Sequence, residues 1–458
     1  MRLPRTERGR LALVLVLVAA VTVFTATVPL LRGWFDLRVY HGAIDAWIHH
    51  GGRIYDYHVP GTTYGFTYPP FAAVSMVPMA LLGLHAAIAV GLLLNLAATA
   101  VVLGILVPRE LRRRHGWFGF AVAVCMLAMF EPARDTFSFG QVNLLLLALV
   151  LSDAWLLSTG RGRWAGVGIG LAAAIKLTPA IFIVLLLLAR RPRAASVAAA
   201  VAASATALAA WAAPEPSRFY WTEAVWDTTR IGRLDYVSNQ SLQGVLARFA
   251  DPAEPSRIVW ALAALAVLGV CAWRAHRAIT AGDLMGAFAL TGLVACLVSP
   301  ITWVHHLVWL LPSFAILVEE GLKRRRLLWA AGVSYVLLCS SVVWLWFDDA
   351  SGVDGFLGSN IYVWITLGLL FALPVGQTRV NRLPRSTTAT TPAPRQAAPE
   401  IAPAAAHRSE PSATTMAAGA GAGAGPACGT AREGTSEPTG STRPAASKPQ
   451  SSSERASS

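Results

Sequence analysis

Residues 11–31 read LALVLVLVAAVTVFTATVPLL, an uncharged run of 21 positions. As a helix rising 1.5 Å per residue, such a run reaches about 30 Å, the depth of a bilayer's hydrocarbon core. Arg2, Arg5, Arg8 and Arg10 precede it and Arg32 ends it. The basic flank resembles a signal peptide, but the length and the lack of a small-residue cleavage site favour an uncleaved first span. By the positive-inside rule the N-terminus lies in the cytoplasm, so residues 32–70 are expected outside.

The same alternation of apolar run and basic cluster continues along the chain. The clusters are Arg109/Arg112/Arg113/Arg114, Arg161/Arg163, Arg190/Arg191/Arg193, Arg274/Arg277 and Lys323 to Arg326. Pinning each inside predicts spans near 86–107, 117–131, 141–158, 164–176, 179–190, 194–213, 258–273, 283–299, 303–318, 327–347 and 360–374. With the first they make about twelve. Residues 71–84 are too short to cross and read as a re-entrant or interfacial segment. Residues 164–190 carry basic clusters at both ends, so they read as a hairpin of two short helices turning at Lys176-Leu177-Thr178-Pro179. The expected fold is an all-α polytopic transmembrane bundle over residues 1–376, with external loops at 32–70 and 214–257.

Composition agrees. Of the 458 residues, 55% are hydrophobic and 14% charged, against about 25% charged in soluble domains. That excludes a water-soluble enzyme of this size. The net charge of +13 is spread over loop-sized clusters, so nucleic acid is not an expected partner; the bilayer is. Residues 377–458 are rich in Ala, Pro, Ser, Thr and Gly, and are expected to be a disordered cytoplasmic tail. Cys125, Cys271, Cys296, Cys339 and Cys428 show neither metal-site nor disulfide spacing.

The threading gathers the unusual polar residues on the external side. Asp36 follows the first span. A carboxylate partly desolvated there, with its backbone held, suits a general base; an interfacial Asp paired with Arg32 or Arg38 is the alternative. Tyr40, and Tyr68 before two prolines, suit sugar stacking or an interfacial aromatic belt. Arg134 beside Glu131 and Asp135, then Gln141 and Asn143 at the mouth of a span, suit hydroxyl ligation or interhelical hydrogen bonds. Lys176 is one of three lysines and sits between apolar half-hairpins, as a phosphate ligand or a snorkelling cation. Asn239 and Gln240 lie in an amide- and hydroxyl-rich outer loop. His305 and His306 close the set. Adjacent positions on a helix point about 100° apart, so the pair suits anion contact better than a metal. No metal site and no cofactor are expected.

Asp36-Leu37-Arg38-Val39-Tyr40, Tyr68-Pro69-Pro70, Gly140-Gln141-Val142-Asn143, Lys176-Leu177-Thr178-Pro179, Ser238-Asn239-Gln240-Ser241 and Ser299-Pro300 with Trp303, His305 and His306 occur in one order. In this the chain resembles the polyprenol-phosphate-mannose-dependent α-(1→2)-mannosyltransferases of actinobacterial envelopes, glycosyltransferase family 87, over roughly residues 11–375. The resemblance implies a GT-C type membrane enzyme in the bacterial plasma membrane, with its active site outside and both termini cytoplasmic. It implies polyprenyl-phosphate mannose as donor and phosphatidylinositol mannosides or lipoglycan chains as acceptors. It implies Asp36 as the base, with Lys176 and His305 or His306 near the donor phosphate. Three rivals stand beside it: an enzyme of similar architecture using another lipid-linked sugar such as arabinofuranose, a lipid or solute transporter, and a structural membrane protein without chemistry, against which Asp36, Lys176 and the histidine pair speak. A transporter would place its polar residues near the midplane, whereas here they gather at one face.

Overall fold

A computed structural model describes residues 6–28, 32–107, 109–251 and 253–376; the expected tail at 377–458 lies outside the described residues. The helices are α1 Glu7–Thr27, α2 Phe35–His50, α3 Pro70–Met76, α4 Leu84–Leu106, α5 Arg109–His115, α6 Trp117–Met129, α7 Glu131–Phe139, α8 Asn143–Ser158, α9 Val167–Ile175 and α10 Ile181–Leu188. They continue with α11 Pro192–Ala212, α12 Pro214–Thr222, α13 Leu242–Ala250, α14 Arg257–Thr280, α15 Leu284–Val298, α16 Leu311–Gly321, α17 Arg325–Cys339, α18 Gly352–Gly358 and α19 Ile361–Ala372. Among the described residues the only β pairing is the isolated bridge His58–Gly65. The all-α expectation holds.

Burial sorts the helices. In α15 every residue from Gly286 to Leu297 is buried, and with α8 it forms the centre of the main apolar core. On α1 no described residue is buried, and Leu11, Leu15, Val16 and Val23 are exposed. On α14, Ile258, Leu262, Leu265 and Trp273 are exposed. An apolar helix with an apolar outer surface is at home in lipid, where tails cover what water would not. The protein is a helical membrane protein. Its α1, α4, α11 and α14 are long and apolar enough to cross a bilayer; counting the bent pairs α6–α7 (72°) and α18–α19 (55°) as single spans gives six. Each of the twelve expected stretches carries helix. Several, such as Asn143–Ser158 and Leu284–Val298, are shorter than the roughly 20 residues a straight crossing needs, so helix length supports four to six spans rather than twelve.

Side-chain pairings set the directions of the helices. The Ile169 N–H donates to Asp153 on α8 (2.8 Å), and Lys176 at the end of α9 reaches Asn143 at the start of α8 (3.2 Å). Hence α8 and α9 are antiparallel. Gly166 abuts Ala194, and Gly170 abuts Ala198 and Val201, so α9 runs alongside α11 in the same direction. The chain leaves Arg161/Arg163, turns at Lys176 and is back at the same end by Arg190 to Arg193. Asn95 of α4 donates to the Gln141 carbonyl (3.0 Å), while Gly91 approaches Leu37; the second half of α4 therefore descends beside α8. Trp117 bonds Glu7 (3.1 Å) and Arg134 covers Phe24 (4.8 Å), which sets α1 parallel to α6. Arg274 bonds the Leu370 and Leu373 carbonyls, and the Gly376 N–H donates to Asp283 (3.0 Å). These pairings collect the basic loop clusters at one end of the bundle and Asp36, Gln141, Asn143, Lys176 and His306 at the other.

The close α9–α11 approach needs glycine. A Cβ on Gly170 would lie 2.5 Å from the Ala198 carbonyl oxygen, whereas one on Gly104 of α4 would meet nothing within 4 Å. Gly170→Leu is therefore expected to destabilise the protein by about 1–3 kcal/mol, the usual scale of overpacking. It should lower the melting temperature in detergent and the monodisperse fraction on gel filtration, while Gly104→Leu changes neither.

Candidate active site

Asp36 is the second residue of α2. Gly33 (φ 59°) and Trp34 (φ 58°) both take left-handed backbone to turn the chain into that helix, a conformation that costs a tryptophan energy and persists where surroundings enforce it. The enforcement comes from α7: the Arg32 N–H donates to Ser138 Oγ (2.7 Å) and the Trp34 N–H to the Ser138 carbonyl (3.0 Å). Gly140 closes α7 at φ 73°, where a Cβ would sit 2.6 Å from Leu37 Cβ. Both its angle and its contact require glycine. This clamp sets Gln141 opposite Asp36.

A directed chain of hydrogen bonds then ends on the carboxylate. Tyr40 Oη donates to Tyr68 Oη (3.1 Å), Tyr68 Oη to Gln141 Oε1 (2.8 Å), and Gln141 Nε2 to Asp36 Oδ2 (2.7 Å). Asn143 Nδ2 adds a longer bond to Gln141 Oε1 (3.4 Å). With Oε1 occupied by donors, the amide can only present its N–H to Asp36. Neither Arg32 nor Arg38 pairs with Asp36: Arg32 bonds Asp135 (3.1 Å) and Arg38 the Gly33 carbonyl (2.8 Å). Burial pushes the Asp36 carboxyl up to about 7, against the downward pull of the Gln141 bond and of Lys176, with Asp135 adding to the rise. A carboxylate poised there switches between base and acid near neutrality.

Lys176 caps the end of α9 in extended backbone (φ −147°, ψ 131°). Its Nζ donates to Asn143 Oδ1 (3.2 Å), contacts His306 Nε2 (2.7 Å) and lies 5.2 Å from the Tyr68 ring centre. His306 Nδ1 accepts from the Trp303 N–H (3.1 Å), which orients the ring on its short 3-10 turn. Beside them Asn143, Lys176, Thr178, Ser299, Thr302 and His306 line a cavity of ≈ 20 Å³, room for about one water molecule.

Five expected site residues besides Asp36 thus converge: Tyr40, Tyr68, Gln141, Asn143 and Lys176, with His306 as a sixth. Tyr68 and Gln141 are engaged in the chain of bonds that ends on Asp36. His305 is turned to the Phe139 ring (5.3 Å), and its buried Nε2 has no partner among the described residues. Three expectations are redirected. Asn239 is fully buried and bonds the Leu234 and Pro300 carbonyls and the Thr302 N–H. Gln240 donates to the Val237 and Ser359 carbonyls. Their amides tie loops together, because a buried backbone carbonyl needs a donor as much as a ligand does. Arg134 points away from Asp36 toward α1, bonding the Val28 carbonyl. It sits on the wall of a mostly apolar groove of ≈ 450 Å³ between α1, α4, α6 and α7, lined also by Thr25, Trp34, Leu96, Leu127 and Phe137.

Sequence reading missed the role of Glu131. It is fully buried and accepts from Trp344 Nε1 (2.7 Å) and Tyr362 Oη, fastening α7 to the C-terminal helices. Its partners lie more than 200 residues away, so no local pattern announced them. Among the described residues no group of three His, Cys, Asp or Glu side chains comes together to hold a metal ion.

Comparison with known proteins adds the family. The model of glycosyltransferase family 87 matches residues 66–300. A polyprenol-phosphate-mannose-dependent alpha-(1-2)-phosphatidylinositol mannoside mannosyltransferase of Mycolicibacterium smegmatis is 35% identical over 281 residues, 57% of this chain and 63% of that protein; the match thus spans under two thirds of that relative. The Mycobacterium tuberculosis protein of the same description is 33% identical over 63% of this chain and 71% of its own length. A Mycobacterium tuberculosis phosphatidylinositol pentamannoside mannosyltransferase is 31% identical over 70% of this chain and 74% of its own length. No solved structure matches. With the family model covering half of its length and a relative 33% identical matched over 71% of that protein, the chain belongs to glycosyltransferase family 87.

Proposed function

We propose that the protein transfers mannose from polyprenyl-phosphate mannose to a hydroxyl of a phosphatidylinositol mannoside or related lipoglycan, forming an α-1,2 linkage at the outer face of the plasma membrane. The observation that carries this reading is the pairing of Asp36 with Gln141, linked through Asn143 to the Lys176–His306 cluster, at the end of the bundle opposite the basic clusters. The relatives' names supply donor and acceptor.

The chemistry follows from the arrangement. The acceptor hydroxyl oxygen attacks the anomeric carbon from the face opposite a β-linked phosphate, which inverts the linkage to α. Asp36 takes the hydroxyl proton. The anomeric carbon–oxygen bond breaks with its electron pair going to the phosphate, which leaves as polyprenyl phosphate with one more negative charge. Lys176, with His306 and Asn143 beside it, meets that developing charge; fixed donors aimed at charge that appears only in the transition state are the largest lever such a site has. His305 packs between the His306 and Phe139 rings. The apolar groove walled by Arg134 suits the isoprenoid chain of the donor, which needs a lipid-facing channel next to the reaction centre. The group transferred arrives on a lipid, so no bound cofactor is required.

Sidedness follows from charge. Basic clusters favour the cytoplasmic side, which assigns the Asp36 end to the outside and both ends of the chain to the cytoplasm. Pinning every basic cluster on the cytoplasmic side gives about twelve crossings, the short and broken helices counted with the long ones.

Asp36→Asn keeps the shape and removes the base. It is expected to lower kcat by about 10²–10⁴-fold in an assay of purified protein with polyprenyl-phosphate mannose and mannosylated lipids, while the melting temperature stays near that of the parent; near-normal transfer would remove Asp36 from the reaction. The active form is the carboxylate, so activity is lost as pH falls through about 7. A pH profile should show roughly tenfold slower transfer one unit below that midpoint than on the plateau; a profile flat from pH 5 to 8 would mean an ordinary carboxylate. Lys176→Met should raise the donor KM and lower kcat with little change in acceptor KM, and unchanged donor kinetics would return Lys176 to a packing role.

A further inference from the structure

Lys176 is not the only cation at this end of the bundle. Arg32 lies on the other side of the histidine pair. His306 faces Lys176 (2.7 Å), the His306 and His305 rings meet edge-on (4.7 Å), His305 meets Phe139 (5.3 Å), and the Arg32 guanidinium lies over Phe139 (5.5 Å) and Trp344 (4.6 Å). Its Nε donates to Asp135 Oδ1 (3.1 Å), a carboxylate only 1% exposed, while the Arg32 side chain keeps 24% exposure. Among the described residues Nε is the sole guanidinium nitrogen with a hydrogen-bond partner. The two Nη groups are left free, aimed by a fixed ion pair and held flat by two rings. A guanidinium presented in this way matches a phosphodiester, which takes parallel N–H bonds that a lysine cannot offer.

The surroundings match a sugar lipid. Tyr236 meets Trp303, Trp344 and Phe347 edge-on at 5.8, 6.0 and 5.8 Å. Trp303, Trp344 and Tyr236 are half-buried and Phe347 is exposed. Half-exposed rings beside a cation offer apolar faces to sugar C–H groups and a charge to the phosphate that anchors them. Two cations separated by a histidine pair make two anion positions, and the reaction proposed above brings two lipid phosphates to one site: one on the donor, one on the acceptor.

We propose that Arg32 and this aromatic cleft form the acceptor subsite, Arg32 binding the phosphodiester of the inositol lipid and Trp303, Tyr236 and Trp344 its sugar rings. This rests on the acceptor class assigned above.

The test compares two acceptors with the same terminal mannose, a phosphatidylinositol mannoside and an uncharged alkyl mannoside, in full-length protein and its Arg32→Met and Arg32→Lys variants. Arg32→Met is expected to cut the ratio of kcat/KM for the phosphorylated over the neutral acceptor by about tenfold or more, the worth of hydrogen bonds to a charged group; Arg32→Lys should restore part of it. Donor KM should stay put. An unchanged ratio, with both acceptors losing equally, would make Arg32 a purely structural partner of Asp135 and overturn the proposal. So would a rise in donor KM, which would give Arg32 to the donor phosphate. Direct binding of radiolabelled phosphatidylinositol mannoside to the protein in nanodiscs, with no donor present, separates this from the reaction itself. If Arg32→Met weakens that binding tenfold while the wild type transfers no mannose, the subsite stands and the assigned reaction falls; if binding is the same in both proteins, the subsite falls.

Discussion

The site depends on one hydrogen bond, from the Gln141 amide to the Asp36 carboxylate. A half-buried carboxyl loses part of its hydration and with it some of its tendency to ionise. Here it is the last acceptor in a chain that begins at Tyr40, and the Tyr68 and Gln141 oxygens upstream are already occupied. The bond is made possible by backbone: two left-handed residues before α2, a glycine at the end of α7, and Ser138 bridging them. A base of raised proton affinity held at a fixed angle is the outcome. The histidine pair and Lys176 enter through Asn143, which touches both the base's orienting amide and the ammonium. Asp36 and Lys176 are thereby linked through shared neighbours.

The membrane explains why these groups cluster at one end. Helices buried on all sides, such as α15, supply the rigid centre, while α1 and α14 keep apolar surface outward. Polar residues are costly along either, so they collect where helices stop. Breaks in helices therefore mark the site: α9 stops at Lys176, α7 at Gly140, and α15 before Ser299. Short helices that break at the reaction centre also explain why span counting by length falls short of counting by charge.

Asp36, Lys176 and His306 were legible in the sequence because an ionisable group beside an apolar run is rare and needs a reason. The hairpin at Lys176 was legible because basic clusters flank it on both sides. Asn239 and Gln240 were not, since an amide that ties a loop carbonyl and one that awaits a sugar hydroxyl look the same in one dimension. Arg134 and Asp135 are neighbours that project about 100° apart from α7, one toward α1 and the other toward Arg32; only coordinates tell which faces the site. Arg32 itself read as the end of the first span or as a partner for Asp36. Its partners Asp135, Phe139 and Trp344 come from distant parts of the chain.

The most direct measurement concerns the side of the membrane on which Asp36 lies. Arg38→Cys, exposed two residues beyond it on α2, and Arg163→Cys, exposed in a basic loop, can each be placed as single cysteines and treated in intact cells with a membrane-impermeant maleimide. Labelling at 38 without permeabilisation, and at 163 only after it, is the result expected of an enzyme that takes a lipid-borne sugar at the outer surface. Labelling at 163 from outside, with 38 protected until the membrane is opened, would contradict it.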